Sequence, residues 1–346
     1  MQKNIKKILL VGFFYKNKNN YAYAESFYDK FLKLGYVVET FNTGLNIFPL
    51  LKINNLLINI LFYKKVKQFN PDLIFFIKAE NIDYRFINRI SKKGYLTVNF
   101  YPDNPFVFWN GNSNKNILNL LPSYNYFLSW SKLLIPILQM AGAKNVYYFP
   151  FAYDKDVYEK KIELINLDQK KYKSDVSFAG TWDAQREEWL TKLINFLPYL
   201  DLSIWGNNWQ ENLPSDSILK KFLKGNAVYR DELIKLSMLS KITLNFIRKQ
   251  NMTSHNMRTL EVPAMGGFLL TQRTEEQSEF LFKEGESIEC FSSIQELAEK
   301  IKFYLNNEKQ RNYIAVNSKK RAEKFELESV LGEFMKFIQN NHQEGD

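Results

Sequence analysis

Short apolar runs, each bounded by turn residues, recur along this chain, and between them apolar positions fall three and four apart. In the first half the runs are Ile8–Phe14, Val37–Phe41, Leu73–Ile77, Leu96–Phe100, Tyr126–Ser129 and Val146–Tyr148. Helical spacing fills 22–34, 52–69, 82–92 and 132–141, and Gly35, Pro71-Asp72, Gly94 and Gly142 mark the joints. A second series starts near residue 175 with Val176–Ala179, Leu202–Trp205, Ile242–Phe246, Phe268–Thr271 and Ser287–Phe291. Its helices fall near 184–197, 230–239, 256–264, 294–306 and 308–323, with Ser293 and Glu296 spaced as a capping box. Uninterrupted apolar strands separated by helices predict a parallel sheet covered on both faces. Two such series predict two Rossmann-like, doubly wound α/β domains, 1–152 and 153–325, with a ligand cleft between them at the strand C-terminal ends. The polar, lysine-rich stretch 150–174 reads as the link between them. The remainder, 326–346, holds a helical pattern from Leu327 to Asn340 that is expected to pack back across the junction.

Length agrees with this division, since 346 residues exceed what one ordinary core fills. Hydrophobic residues at 45% and charged residues at 24% mark a folded chain and exclude a disordered one. Lys and Arg outnumber Asp and Glu by 47 to 37, a net charge of +10 that suits anionic partners such as nucleotides or phospholipid headgroups, or is simply a basic surface. The cations are spread along the chain and no basic–aromatic cluster matches a nucleic-acid module, so nucleic acid is not an expected partner. One cysteine, Cys290, leaves no internal disulfide, and with only His255 and His342 no thiolate or imidazole metal site can be assembled. Neither a metal nor a tightly bound cofactor is expected. The Ile8–Phe14 run is short and no small-residue cleavage site follows, so it reads as a buried first strand and not as a leader. No run approaches the roughly 20 apolar residues of a spanning helix. A cytoplasmic protein is expected, with peripheral contact at the inner membrane face as a further expectation.

Candidate chemistry concentrates in 245–271. Arg248 and Lys249 follow a strand C-terminus, where ligands bind in such sheets, and two adjacent cations there suit a diphosphate or form a solvated pair. His255 and Arg258 lie near the start of the next helix, whose free N–H groups also attract phosphate. Glu261 sits among Leu260, Val262, Pro263 and Ala264 and needs a partner, either a ribose diol or Arg258 at i,i+3. Gly266-Gly267 allows close backbone approach to a ligand or closes the helix. Gly180 after a strand, and Arg186 on the helix that follows, are a second phosphate-binding candidate, or a plain turn and an intrahelical ion pair with Glu187 or Glu188.

Arg248, the run from His255 to Phe268 and the run from Thr271 to Glu276 resemble the C-terminal signature of the CgeB-type glycosyltransferases. The similarity continues through Phe282, Glu284-Gly285 and Ile288–Phe291 to about residue 325. It is fainter at Ser174–Gly180, Gln185-Arg186 and Phe149–Tyr153, and in the first half at Pro71-Asp72 and Tyr101–Pro105. The resemblance implies a GT-B fold and transfer of a sugar from a nucleotide diphosphate sugar, most simply a UDP-sugar, by a metal-independent hexosyltransferase. It implies that Glu261 binds the donor ribose and that Arg248 and Arg258 stand near the phosphates. Many GT-B enzymes carry a further Glu eight residues earlier, facing the sugar; this chain has Thr253 there. The acceptor is not named by the sequence; a cell-surface glycan, a lipid-linked group or a protein is expected. A nucleotide-sugar epimerase of similar fold and a non-catalytic anion-binding protein are the alternatives.

On the acceptor side an inverting transfer needs a general base near the attacking hydroxyl. Asp103, ending a strand, is the first candidate and Glu80, also just past a strand, the second; Asp103-Asn104-Pro105 reads equally as a turn that orders its own backbone. Asp83 stands where a helix cap is expected. The 52–69 helix, apolar through Leu51, Ile53, Leu56, Leu57, Ile60, Leu61 and Phe62 and ending in Lys64, Lys65 and Lys67, reads either as a membrane-surface helix or as a buried helix with a cationic C-terminus.

Overall fold

The computed structural model describes residues 4–15, 23–44, 54–107, 115–251 and 254–341. Thr253, Leu51, Ile53 and His342 lie outside the described residues. The chain divides into two compact units, residues 1–151 with 327–346, and residues 152–326.

The first unit runs β1 (Lys7–Gly12), α1 (Tyr23–Lys33), β2 (Val37–Asn42), α2 (Asn54–Phe69), β3 (Leu73–Ile77), α3 (Tyr84–Ser91), β4 (Leu96–Phe100), α4 (Lys115–Leu120), β5 (Tyr126–Ser129), α5 (Leu134–Met140) and β6 (Val146–Tyr148). The strands form a six-stranded sheet in the order β2-β1-β3-β4-β5-β6, with every pair parallel. Every residue of β3 and β4 is buried, as a sheet covered on both faces requires. Each fully enclosed Phe or Leu there adds roughly 1.5–3 kcal/mol by leaving water. The chain order steps from β1 to β2 at one edge and then crosses back to β3. The C-terminal ends of β1 and β3 are therefore the topological switch point.

The second unit holds α6 (Lys155–Tyr158), α7 (Asn166–Tyr172), β7 (Ser174–Ala179), α8 (Ala184–Phe196), β8 (Leu202–Trp205), α9 (Trp209–Asn212), β9 (Leu223–Gly225), α10 (Asp231–Leu239), β10 (Ser240–Asn245), α11 (Arg258–Ala264), β11 (Leu269–Gln272), β12 (Glu289–Phe291), α12 (Ile294–Asn306) and α13 (Glu308–Ala322). Its six parallel strands run β12-β11-β10-β7-β8-β9, which puts the switch point between β7 and β10. The stretch 150–174, read as a linker, instead supplies α6 and α7, whose Tyr158 and Tyr172 are buried. Lys235 of α10 anchors Asp168 of α7 at 2.9 Å.

The last helix, α14 (Leu327–Asn341), belongs to the first unit, where Phe334 packs on Phe75, Tyr126, Tyr147 and Phe149. Ser293 caps α12 by accepting from Glu296 N–H, but the Glu296 carboxylate reaches Ser292 N–H and not that of Ser293, so only half of the capping box forms.

Candidate functional site

In the second unit the switch point is built around a glycine contact. Gly180 N–H donates to Trp205 O and Trp182 N–H to Asn207 O, so the loop after β7 lies on the loop after β8. Trp209 Nε1 donates to Gly180 O at 2.8 Å, and a Cβ on Gly206 would stand 2.0 Å from that same oxygen. Only glycine fits at Gly206 for that reason. Trp205 itself is buried against Tyr172.

Asp183 caps α8 by accepting from Gln185 N–H, which sets Arg186 on the first turn. Arg186 folds back across Gly180, its Nη1 donating to Thr181 O at 2.8 Å and its guanidinium lying 5.5 Å from the Phe178 ring. Burial, and then the like charge of Arg248, push its pKa down to about 9, with Arg258 acting in the same sense and Asp183 against it. A guanidinium keeps its proton at neutral pH all the same, so the shift expresses the cost of a charge held beside two others.

The loop from β10 to α11 is pinned by amides. Asn245 and Asn256 exchange side-chain hydrogen bonds at 3.1 and 2.9 Å, and Asn245 Nδ2 also reaches Thr271 Oγ1 at 3.0 Å. Thr259 donates to Gln277 at 2.7 Å from the helix side. This buried network holds the half-buried Arg248 above the end of β10 and sets Arg258 as the first residue of α11. Arg258 donates through Nη1 to the enclosed carboxylate of Glu261. The Nε groups of Arg186 and Arg258 are buried with no acceptor among the described residues. Buried donors of that kind are rare unless a ligand or water completes them.

Gly180, Arg186, Arg248, Arg258 and Glu261 are thus gathered at the switch point of one unit. The other candidates stand apart from it. Lys249 is exposed beside the Glu188 end of α8, where its charge lowers the pKa of Glu188 behind the larger effect of Lys192. His255 is fully buried; its Nδ1 lies 3.0 Å from Ser254 Oγ and 3.5 Å from Glu276, so it braces the loop from within. Gly266 and Gly267 correct the reading from sequence. Helix α11 runs antiparallel to the strands and carries them to the N-terminal edge of the sheet, away from the arginines. There Gly266, at φ +80°, and Gly267 close the helix onto Pro263 O and Val262 O. They line a separate cavity of ≈ 380 Å³ with Ser237 and Arg311.

A residue that sequence did not single out is Arg230, held at φ 48°, ψ −122° before α10. Strained non-glycine backbone of this kind costs about 1–3 kcal/mol and collects at functional sites. Its neighbour Tyr229 acts electrostatically on Arg258. Nothing in the residue types around Arg230 signals that strain.

In the first unit the switch point opens into a cavity of ≈ 740 Å³, lined among others by Phe13, Gly44, Leu56, Glu80, Asn81 and Phe86. Its floor is the loop after β3, where Lys78 and Ala79 both take positive φ, 65° and 51°. Neighbouring groups hold that conformation. Lys78 N–H donates to Phe100 O, Asn99 Nδ2 to Lys78 O, Asn59 Nδ2 to Asn81 O, and Asn116 Nδ2 to the carbonyls of Glu80 and Ile82. Glu80 lines the cavity and accepts from the Tyr101 hydroxyl. Asp103 is ion-paired with Lys78 at 2.8 Å and is not among the lining residues. Asn104 makes the turn, accepting from Phe106 N–H at 3.0 Å. Asp83 is the cap of α3. Among the described residues, no group of three or more His, Cys, Asp or Glu side chains is placed to hold a metal ion. No helix of the described residues is long and apolar enough to cross a membrane.

Residues 185–329 match a family model described as glycosyl transferase-like. No curated protein matches the chain by sequence. The fold is similar to that of sucrose-phosphate synthase from Thermosynechococcus elongatus (TM-score 0.71, 11% identity, 97% of this chain and 99% of that one). It is similar also to a glycosyltransferase from Rickettsia africae ESF-5 (TM-score 0.70, 13% identity, 99% and 100%). Anabaena Alr3699/HepE, solved in complex with UDP-glucose, matches at TM-score 0.66 and 13% identity over 96% and 99%. The architecture is therefore the two-unit α/β fold of GT-B glycosyltransferases. With the family match, it supports a glycosyltransferase whose acceptor is unidentified.

Proposed function

We propose that this protein is a CgeB-type hexosyltransferase that takes its sugar from a nucleotide diphosphate sugar, a UDP-sugar by preference, held by a C-terminal domain of residues 153–325. The observation that carries this reading is the pair of partly buried guanidinium groups, Arg186 and Arg258, each with a buried Nε lacking an acceptor among the described residues, at the β7/β10 switch point beside Arg248. A diphosphate supplies the acceptors that both Nε groups lack and the counter-charge that Arg186 lacks; Arg258 already has Glu261. Glu261, at the first turn of α11, takes the ribose diol while keeping Arg258 in place.

In the transfer, the bond from the anomeric carbon to the diphosphate oxygen breaks and a bond to the acceptor oxygen forms. Negative charge grows on the departing diphosphate, where Arg186, Arg248 and the α8 N-terminus stabilise it. Three guanidinium charges do the work a divalent ion does in other transferases, which supports metal-independent chemistry. The acceptor, a glycan, lipid-linked or protein hydroxyl, enters the cavity of the N-terminal domain, residues 1–152. Glu80 is the base that receives its proton in an inverting transfer. A chain with one cysteine has no need of an oxidising compartment, and we place the enzyme in the cytoplasm.

Calorimetric titration of UDP and a panel of nucleotide sugars, with chelator present, tests the donor site. Saturable binding that Arg248→Ala and Glu261→Ala each weaken is the expected result. Binding unchanged in both variants would remove the site from consideration.

A further inference from the structure

Helix α2 is half buried. Ile58, Phe62 and Val66 pack inward, while Leu56, Ile60 and Leu61 are 56%, 49% and 41% exposed. On the outer ridge, Leu56, Ile60, Lys64 and Lys67 follow one another at three- and four-residue spacing, so the apolar half of the ridge leads directly into a cationic half. Tyr63 stands beside that cationic half and gathers charge from two helices. Lys67 lies 5.1 Å from its ring, Arg89 of α3 4.9 Å and Lys93 5.6 Å, and Lys93 Nζ donates to the Tyr63 hydroxyl at 2.9 Å. Nearby cations are neutralised, Lys65 by Glu39 and Arg85 by Asp83. Lys64, Lys67, Arg89 and Lys93 have no acidic partner among the described residues. Four exposed cations without counter-charge, beside two exposed aliphatic side chains on the same ridge, complement a surface that is anionic outside and apolar within.

We propose that the α2/α3 face docks on an anionic phospholipid bilayer. Leu56 and Ile60 enter the headgroup–acyl boundary, and Lys64, Lys67, Arg89 and Lys93 pair with lipid phosphates. Leu56 and Phe86 also line the 740 Å³ cavity, so docking brings its mouth to the bilayer surface. That last step rests on the acceptor reading and favours an acceptor anchored in lipid. The docking itself does not depend on that reading.

Sedimentation of the full chain with vesicles of phosphatidylcholine alone, and of phosphatidylcholine mixed with phosphatidylglycerol, tests the docking. Binding to the mixed vesicles only, weakened by salt, is expected. At about 1 kcal/mol per cation, the Lys67→Glu, Arg89→Glu, Lys93→Glu triple variant should lower the partition coefficient by roughly 100-fold or more. Ile60→Asp should lower it as well, and circular dichroism should show both variants folded. No binding to mixed vesicles, equal binding to neutral ones, or full binding by the folded triple variant would overturn the proposal. So would an oligonucleotide that binds the wild type as tightly as the vesicles do, with Ile60→Asp without effect on either. UDP titration of the same samples is read separately: vesicle binding without UDP binding sinks the donor site and leaves the docking intact.

Discussion

Arg258 and Glu261 form an ion pair across one turn of α11, and the carboxylate is only 1% exposed. The pair satisfies the carboxylate without a ligand, which is one of the two partners expected for it, and the ribose must then share it. Glu261→Gln keeps an acceptor for Arg258 but removes its counter-charge. We expect it to cost about 1–3 kcal/mol of stability. We expect UDP affinity to fall at least tenfold, about 1.4 kcal/mol. Urea midpoints and calorimetry on the same preparation check both. Full stability with full UDP affinity would mean that the carboxylate serves neither partner.

Arg186 makes the opposite case, a side chain that costs stability until its ligand arrives. Removing it loses one hydrogen bond to Thr181 O, worth about 1 kcal/mol. It also removes a desolvated charge beside Arg248 and Arg258, which is the larger effect. Arg186→Met should therefore raise the ligand-free midpoint by about 1 kcal/mol, roughly 2–4 °C, and abolish the further rise that UDP gives the wild type. Thermal scans with and without UDP decide this. A lower midpoint with the UDP response retained would make Arg186 a structural residue.

Glu296 belongs to an ion-pair network that lies outside the site and fixes the loop from β12 to α12. The hydrogen bonds from Arg273 first, then Ser292 N–H and Lys300, hold its pKa at about 2 against the opposing effect of burial. A carboxylate depressed on folding stabilises the protein fully above its unfolded pKa, and loses that contribution as pH falls through the folded value. Its side chain is 29% exposed, so solvent screening reduces the full linkage to about 1–2 kcal/mol at neutral pH. Glu296→Gln should be less stable than wild type by that amount at neutral pH and indistinguishable from it near pH 2. Denaturant midpoints across this range test the sign, and a gap that widens toward acid would reverse it.

Strand β3 could be bounded to the residue from sequence, because continuous burial on both faces writes itself as an unbroken apolar run. The edge strand β9, three residues with a single apolar side chain, leaves no such trace. Arg248, Arg258 and Glu261 could be grouped from sequence because one loop and one helix turn carry all three. Gly266 and Gly267 were misplaced for the same reason: neighbours in the chain are separated by the length of α11, which runs from one edge of the sheet to the other. The strain at Lys78, Ala79 and Arg230 is a backbone property that residue type does not report. The amides that hold the first of these loops, Asn59, Asn99 and Asn116, come from three elements and meet only in the folded unit.

Glu80 and Asp103 both stand past strands of the first sheet, yet their surroundings separate them. Asp103 gives its charge to Lys78 at 2.8 Å and stands outside the cavity lining. Glu80 lines the cavity, accepts from Tyr101, and is carried on a loop whose left-handed residues are fixed from several sides. A base must reach the acceptor hydroxyl, and geometry favours Glu80. We expect Glu80→Gln to lower kcat by about 10²–10⁴-fold with UDP affinity unchanged, because the arginines proposed to hold the donor belong to the other unit. Asp103→Asn should act through Lys78, with a smaller loss in kcat and a change in KM for the acceptor. Donor turnover with acceptor present, set against UDP titration of the same variants, separates the two. A larger loss in Asp103→Asn than in Glu80→Gln would return the base to Asp103 and leave Glu80 as a group that positions the loop.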